Sequence, residues 1–229
     1  NKNIDSKLIN SYLNINENLT QILKLSVCPW MGLVKRTFVN NNKLLFVETM
    51  CCNDRAFYVK SFLTAKKLFI SNINIVKHRV NNSESLKGIR NKHFDCHFIS
   101  INDIIKFTKE NNINYKITSL VVSNELYDLF SFFETYFYNN KIGFNEFKQT
   151  VEFIHTINGT FDKDTLNSKF NDLFIKLIHI NPDSKISLII SYILMKKYYK
   201  KIFSVNNSLN KKHKIITILG IKIKARRRK

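Results

Sequence analysis

The sequence predicts an α+β protein, and two observations carry that expectation. Between residues 61 and 107, runs rich in Ile and Val stand beside a stretch with helical spacing. From 125 to 203, four segments repeat apolar residues at helical spacing, with Asn, Gly and Pro between them. A third observation, charge, bears on function: 37 Lys+Arg against 17 Asp+Glu give the 229 residues a net charge of +20. Hydrophobic residues still make up 44%, so the charge rides on a chain able to bury an ordinary core. Such a balance points to a polyanionic partner, nucleic acid or an anionic membrane surface. Asn, Lys, Ile and Phe abound while Gly (5) and Pro (2) are scarce. An AT-rich genome leaves that mark, whether organellar, nuclear or bacterial.

Taken in order, residues 1–43 read as a helical arm. Leu8, Ile9, Tyr12 and Leu13 give one helical face, and Leu19, Ile22, Leu23 and Leu25 a second, before Cys28-Pro29-Trp30-Met31-Gly32 breaks the pattern. Residues 44–122 form the next unit, with a helix expected around 54–59. A short helix then runs over 61–71, with Ser61 as N-cap and Ala65, Leu68 and Phe69 on one face. Lys60, Lys66 and Lys67 project elsewhere from it. Two β-branched runs of about strand length follow, in the stretches 73–76 and 99–107, with the turn-like Asn102-Asp103 just before the second and Asp103 expected to fix that turn rather than touch RNA. A small helix with a lysine edge leading into a hairpin suits an RNA backbone. It contains no acid–base constellation.

These residues carry a resemblance. Ser61, Ala65, Lys66, Leu68 and Phe69, then Ser100, Asn102, Asp103, Ile104 and Ile105, resemble the helix-and-hairpin RNA-binding module of the small-subunit ribosomal protein S-four family. A second match runs from Asn111-Asn112-Ile113-Asn114-Tyr115 through Leu120-Val121-Val122, similar to a conserved segment of that family and the strand after it. The likeness covers residues 44–122, with Lys66-Lys67 where the family has Arg-Gln and an insertion near 82–97 between the strands. It implies an organellar, mitochondrial form with a long C-terminal extension: a structural constituent of the small ribosomal subunit, binding its rRNA and supporting assembly and translation. The alternative is a non-ribosomal RNA-processing or RNA-modifying factor carrying the same module. A plastid or other AT-rich organelle is the alternative location. Neither DNA nor a membrane is an expected partner.

The expected phosphate contacts are Lys60, Lys66, Lys67, Lys77, His78 and Arg79, joined by Lys87, Arg90 and Lys92 of the insertion. Residues 55–109 hold eleven Lys/Arg against three Asp/Glu, enough for a footprint that releases counterions. No aromatic row at strand spacing suggests a base-stacking platform, so structured RNA is expected.

Residues 123–205 predict a helical extension, with helices over 125–138, 145–157, 165–180 and 184–203. From 124 to 170 seven acids face four lysines, which suits neighbouring ribosomal proteins better than phosphate. Two segments there faintly resemble calcium-binding loops. Counting back from Glu146, however, puts Phe137 at a ligand position, and the second loop ends on Ile190. Residues 206–229 read as a strand over 215–223 and a basic tail, with Lys222, Lys224, Arg226, Arg227 and Arg228 as further RNA contacts.

Cys28, Cys51, Cys52 and Cys96 lack paired C-x-x-C spacing and read as free thiols; zinc held by Cys51, Cys52, Cys96 and His93 or His97 is disfavoured by the adjacent cysteines. Five glycines leave no room for a phosphate-cradling loop, and His155 and His179 sit singly in apolar helices. The expectation is no enzyme, no cofactor and no metal. No apolar run reaches membrane-spanning length.

Overall fold

A computed structural model describes residues 6–23, 25, 32–73, 93–207, 213–218 and 221–226. The fold is mostly helical with small antiparallel sheets, in keeping with the α+β expectation. It divides into two compact units, each discontinuous in sequence. Asn1–Phe130 with Thr156–Phe174 form the first, and Ser131–His155 with Ile175–Lys229 the second.

The first unit is built on a helix buried on every side. Strand β1 (Ser11–Asn14) leads into α1 (Ile15–Ile22) and α2 (Arg36–Asn41), and then comes α3 (Asn53–Thr64). Seven consecutive α3 residues, from Ala56 to Phe62, are buried. Its apolar positions meet Leu13 and Ile15, Leu19 and Ile22 of α1, Leu44, and Ile70 of strand β2 (Lys67–Ile70). Ile104 of α4 (Asp95–Glu110) and Val121 of α5 (Tyr115–Tyr138) complete this core. A helix surrounded in this way must satisfy its polar side chains internally. Ser61 does so by donating from Oγ to the Phe57 carbonyl at 2.8 Å.

Four local expectations are corrected here. Ser61 does not open a helix: it lies in the last turn of α3, whose C-cap is Ala65, and Lys67–Ile70 is a strand. The run 99–107 is helical, inside α4. Its Ile residues invite a strand, but the buried His97, Ile101, Ile104 and Thr108 recur every three or four residues, a helical period. Leu120-Val121-Val122 belongs to α5, where Thr118, Val122, Leu126 and Leu129 continue the same spacing inward. The fourth lies in the N-terminal arm, where residues 11–14 form strand β1 because β2 offers them a pairing edge. The helix-and-hairpin arrangement is therefore not formed by the described residues; the proposed hairpin turn near 77 and most of the insertion lie outside them.

The second unit takes the end of α5, most of α6 (Phe144–Ile157), the end of α7 (Ser168–Ile178), α8 (Lys185–Ile202) and strands β3 (Phe203–Asn207), β4 (His213–Ile218) and β5 (Ile221–Arg226). Phe133, Phe137, Phe147, Val151 and Ile154 are fully buried, and Tyr192 sets its edge against Phe137, Phe144 and Phe147. The four expected helices of the C-terminal half are present, each started by a side chain. The Asn114 Oδ1 accepts from the Lys116 N–H at 2.8 Å, and the Asn167 Oδ1 from the Phe170 N–H at 3.0 Å. Glu146 reaches back to accept from the Gly143 N–H at 2.8 Å, half of a capping box. At α8 the Ser184 Oγ accepts from the Ser187 N–H at 3.2 Å. The expected single strand over 215–223 is instead two strands, β4 and β5, which join β3 in a three-stranded antiparallel meander.

Candidate nucleic-acid interface

Strands β1 and β2 pair antiparallel in the register Ser11↔Ile70, Tyr12↔Phe69, Leu13↔Leu68 and Asn14↔Lys67. The ladder extends at one end, where the Asn10 N–H donates to the Ile70 carbonyl at 2.7 Å. Side chains alternate across a strand, so pairing sorts these residues into two faces. Leu13 and Ile70 point into the core, 5% and 8% exposed. Tyr12, Asn14, Lys67 and Phe69 face outward.

That outward face joins two chemistries. Tyr12 is 76% exposed and Phe69 48%, and their ring centroids lie 5.0 Å apart with the planes tilted by 56°. Two aromatic rings left largely in water offer π-faces to a flat ligand, and every nucleobase has one. Lys67 shares this face and Lys66 adjoins it, both exposed. Asn14 donates from Nδ2 to the Glu17 carboxylate at 2.7 Å, which bounds the patch on one side. The ribbon is four residues long, so it can seat one or two nucleotides.

The sequence missed this platform because its rings are 57 positions apart and meet only through strand pairing. Tyr12 instead read as part of a helical face. Lys106 and Lys109 were counted in the basic balance of 55–109 but not singled out as contacts. They are exposed on α4 beside a shallow cavity of about 420 Å³, lined also by Ile105, Glu110, Ile157 and Thr160. Their helical spacing on the outer face of 95–110 was the available signal.

Lys60 sits differently from the other expected contacts. It is 8% exposed, and its Nζ lies 2.6 Å from the Asp103 carboxylate and donates to the Leu45 carbonyl at 3.0 Å. Phosphate cannot reach a cation held in that way, so Lys60 serves the core. Asp103, expected to fix a turn before a strand, is instead its partner on α4. Lys77, His78, Arg79, Lys87, Arg90, Lys92, Arg227 and Arg228 lie outside the described residues. Lys222, Lys224 and Arg226 occupy β5, in register with Thr217, Ile215 and His213 of β4.

Further polar clusters among the described residues are held by contacts within the chain. Arg55 makes a paired contact with Glu125, Nε at 2.6 Å and Nη2 at 3.0 Å, and a further one with Asp128 at 2.6 Å. Burial disfavours the Arg55 charge, but the Glu125 carboxylate, its hydrogen bonds and Asp128 prevail and hold the pKa above its ordinary value. Burial likewise pushes the Asp54 carboxyl up. Cys51, Cys52 and Cys96 do meet, as a buried thiol cluster in which the Cys51 and Cys52 sulfurs are 4.0 Å apart. Its hydrogen bond with Cys52, then burial and Cys96, push the Cys51 thiol up, away from the reactive thiolate. Among the described residues no group of three or more His, Cys, Asp or Glu is disposed to hold a metal ion. His155 packs, with Nε2 2.9 Å from the Ile180 carbonyl.

Compared with known proteins, the chain matches no family model, no curated protein and no solved structure.

Proposed function

We propose that this protein binds RNA without catalysis and that the outer face of the β1–β2 ribbon is a principal contact. The observation that carries the reading is the exposed Tyr12–Phe69 pair beside Lys66 and Lys67, on a chain of net charge +20. The rings stack on an unpaired base while the lysines neutralise the flanking phosphates. The favoured substrate is RNA with a loop or bulge rather than uninterrupted duplex. Basic strand β5 and the residues beyond it add sequence-independent attraction.

The specific form we propose is a structural component of the small subunit of a mitochondrial ribosome, bound to its rRNA and contacting neighbouring proteins through the helical C-terminal half. Its support is the strongly basic balance, the AT-rich composition and the motif likeness over residues 44–122. The helix-and-hairpin fold lends none, because the segments carrying the likeness adopt other structure.

Fluorescence anisotropy with a loop-bearing RNA hairpin and a matched duplex tests the contact. Tyr12→Ala and Phe69→Ala are each expected to weaken hairpin binding by about 1–3 kcal/mol. Lys66→Glu with Lys67→Glu should lower the salt slope by about two. Equal affinity for both RNAs with unaffected aromatic variants would remove the ribbon from the interface. For the ribosomal form, stoichiometric migration with the small subunit through a high-salt gradient of organelle lysate is expected. Recovery at the top of the gradient would favour a processing factor.

A further inference from the structure

Cys51, Cys52 and Cys96 meet at one point, although they come from two segments of chain. Cys51 and Cys52 stand at the entry to α3, and Cys96 lies in the first turn of α4. They form a buried cluster separate from the main core of the first unit. Cys51 is its centre. The Cys51 Sγ accepts from the Cys52 thiol at 4.0 Å, donates to the His93 carbonyl at 3.5 Å and meets the Cys96 thiol. The contact with His93 lays Cys51 along the turn that leads to Cys96.

Packing alone accounts for a buried thiol, since free cysteine behaves as a small hydrophobe. Two features ask for more. Cys52 keeps a left-handed backbone, φ 63° and ψ 5°, which glycine or asparagine takes more readily. The cluster also lies shallow in sequence and in space, for Leu45, Phe46, Glu48 and Met50 just before it are exposed. A small oxidant thus has a short path to sulfurs that are otherwise kept from water.

Geometry selects the pair. Adjacent residues hold their Cα atoms about 3.8 Å apart, short of the about 4.4–6.8 Å that an unstrained disulfide spans. That makes Cys51 with Cys52 the poor choice, whereas Cys96 approaches from another element. We propose that Cys51 and Cys96 form a reversible disulfide under hydrogen peroxide, a redox clamp tying the entry of α3 to the first turn of α4. It closes residues 52–95 into a loop that includes β2, with Lys67 and Phe69.

The Cys96 sulfur attacks one peroxide oxygen, the O–O bond breaks, and a sulfenic acid forms as water leaves with the thiol proton. The Cys51 sulfur then attacks the Cys96 sulfur. The S–S bond forms, the S–O bond breaks, and the departing hydroxide takes the Cys51 proton as water. Two thiols lose two electrons in all, and one peroxide becomes two waters. The order follows from Cys51, whose neighbours hold it as the thiol and make it the poorer first nucleophile.

The test is non-reducing peptide mapping of the full chain after peroxide treatment and alkylation of the remaining thiols, with fragmentation to tell Cys51 from Cys52. The expected product is a crosslinked peptide pair holding Cys51 and Cys96, lost on treatment with dithiothreitol. The oxidised chain should melt at least about 5 °C above the dithiothreitol-treated chain, because the bond constrains the unfolded state. Cys96→Ala should remove both the crosslink and that difference, and mapping of the wild type decides by itself if the variant fails to fold. A crosslink through Cys28 or Cys52, sulfinic acid without a crosslink, or no oxidation would overturn the proposal. So would a crosslink that lowers the melting temperature, since the two sulfurs would then meet only in a distorted chain. RNA takes no part in this experiment, so its outcome leaves the RNA contact to its own test.

Discussion

Lys60 and Asp103 illustrate how position decides what a charged residue does. In sequence Lys60 stands six residues before the exposed Lys66 and carries the same charge, yet it is buried in the middle of α3. Its ammonium is held at 2.6 Å by Asp103, whose side chain is 32% exposed. Removing one partner of such a pair strands the other charge in the core. Asp103→Ala should therefore destabilise the protein by about 1–3 kcal/mol in urea unfolding, a range set below the fully buried case because water reaches the carboxylate. Lys66→Ala should cost under about half a kcal/mol, since that side chain is exposed. Equal losses would show that the Lys60–Asp103 contact adds nothing to stability. No local feature of the sequence separates the two lysines; the difference arises because α3 is enclosed by β1, α1, α4 and α5.

Elements were legible where one period dominated and a cap marked the start. The helices of the C-terminal half satisfy both conditions, through Asn167 and Ser184 among others. Residues 95–110 satisfied neither: β-branched Ile at 99, 101, 104 and 105 suggested a strand, and Phe94 at the N-cap makes no side-chain cap hydrogen bond. The three- and four-residue spacing of buried positions wins there because tertiary packing overrides propensity. Asn102 is exposed on this element, so proline at that position tests its conformation without disturbing the core. Asn102→Pro should cost about 3 kcal/mol or more by breaking a helical hydrogen bond and crowding the preceding turn. A change of only a few tenths would argue against a helix across 95–110. The β1–β2 ribbon was illegible for another reason. Its alternation is four residues long on each strand and acquires meaning only when the two halves are brought together.

At the scale of the whole molecule, the α+β class followed from pattern, whereas the division into two interleaved units did not. Composition along the chain has no signal for a boundary that cuts within α5, α6 and α7. Charge acts at this scale as well. With +20 on 229 residues the folded state gathers like charges that an expanded chain spreads apart. Sodium chloride screens that repulsion more effectively than it weakens the few buried ion pairs. The melting temperature of RNA-free protein should rise with added salt, read by circular dichroism. A melting temperature that falls would mean that attractive pairs such as Arg55 with Glu125 outweigh the net repulsion.

The distance in sequence between β1 and β2 also sets an order of events. During synthesis residues 11–14 emerge more than fifty residues before their partners at 67–70. At about 5–20 residues per second, the first strand waits roughly three to ten seconds with its backbone edge unmatched. An unmatched edge beside Tyr12 and Leu13 is a template for pairing with another nascent chain. The growing protein thus passes through an interval in which the speed of synthesis and the local concentration of other nascent chains determine whether the ribbon closes on itself or is captured by a neighbour.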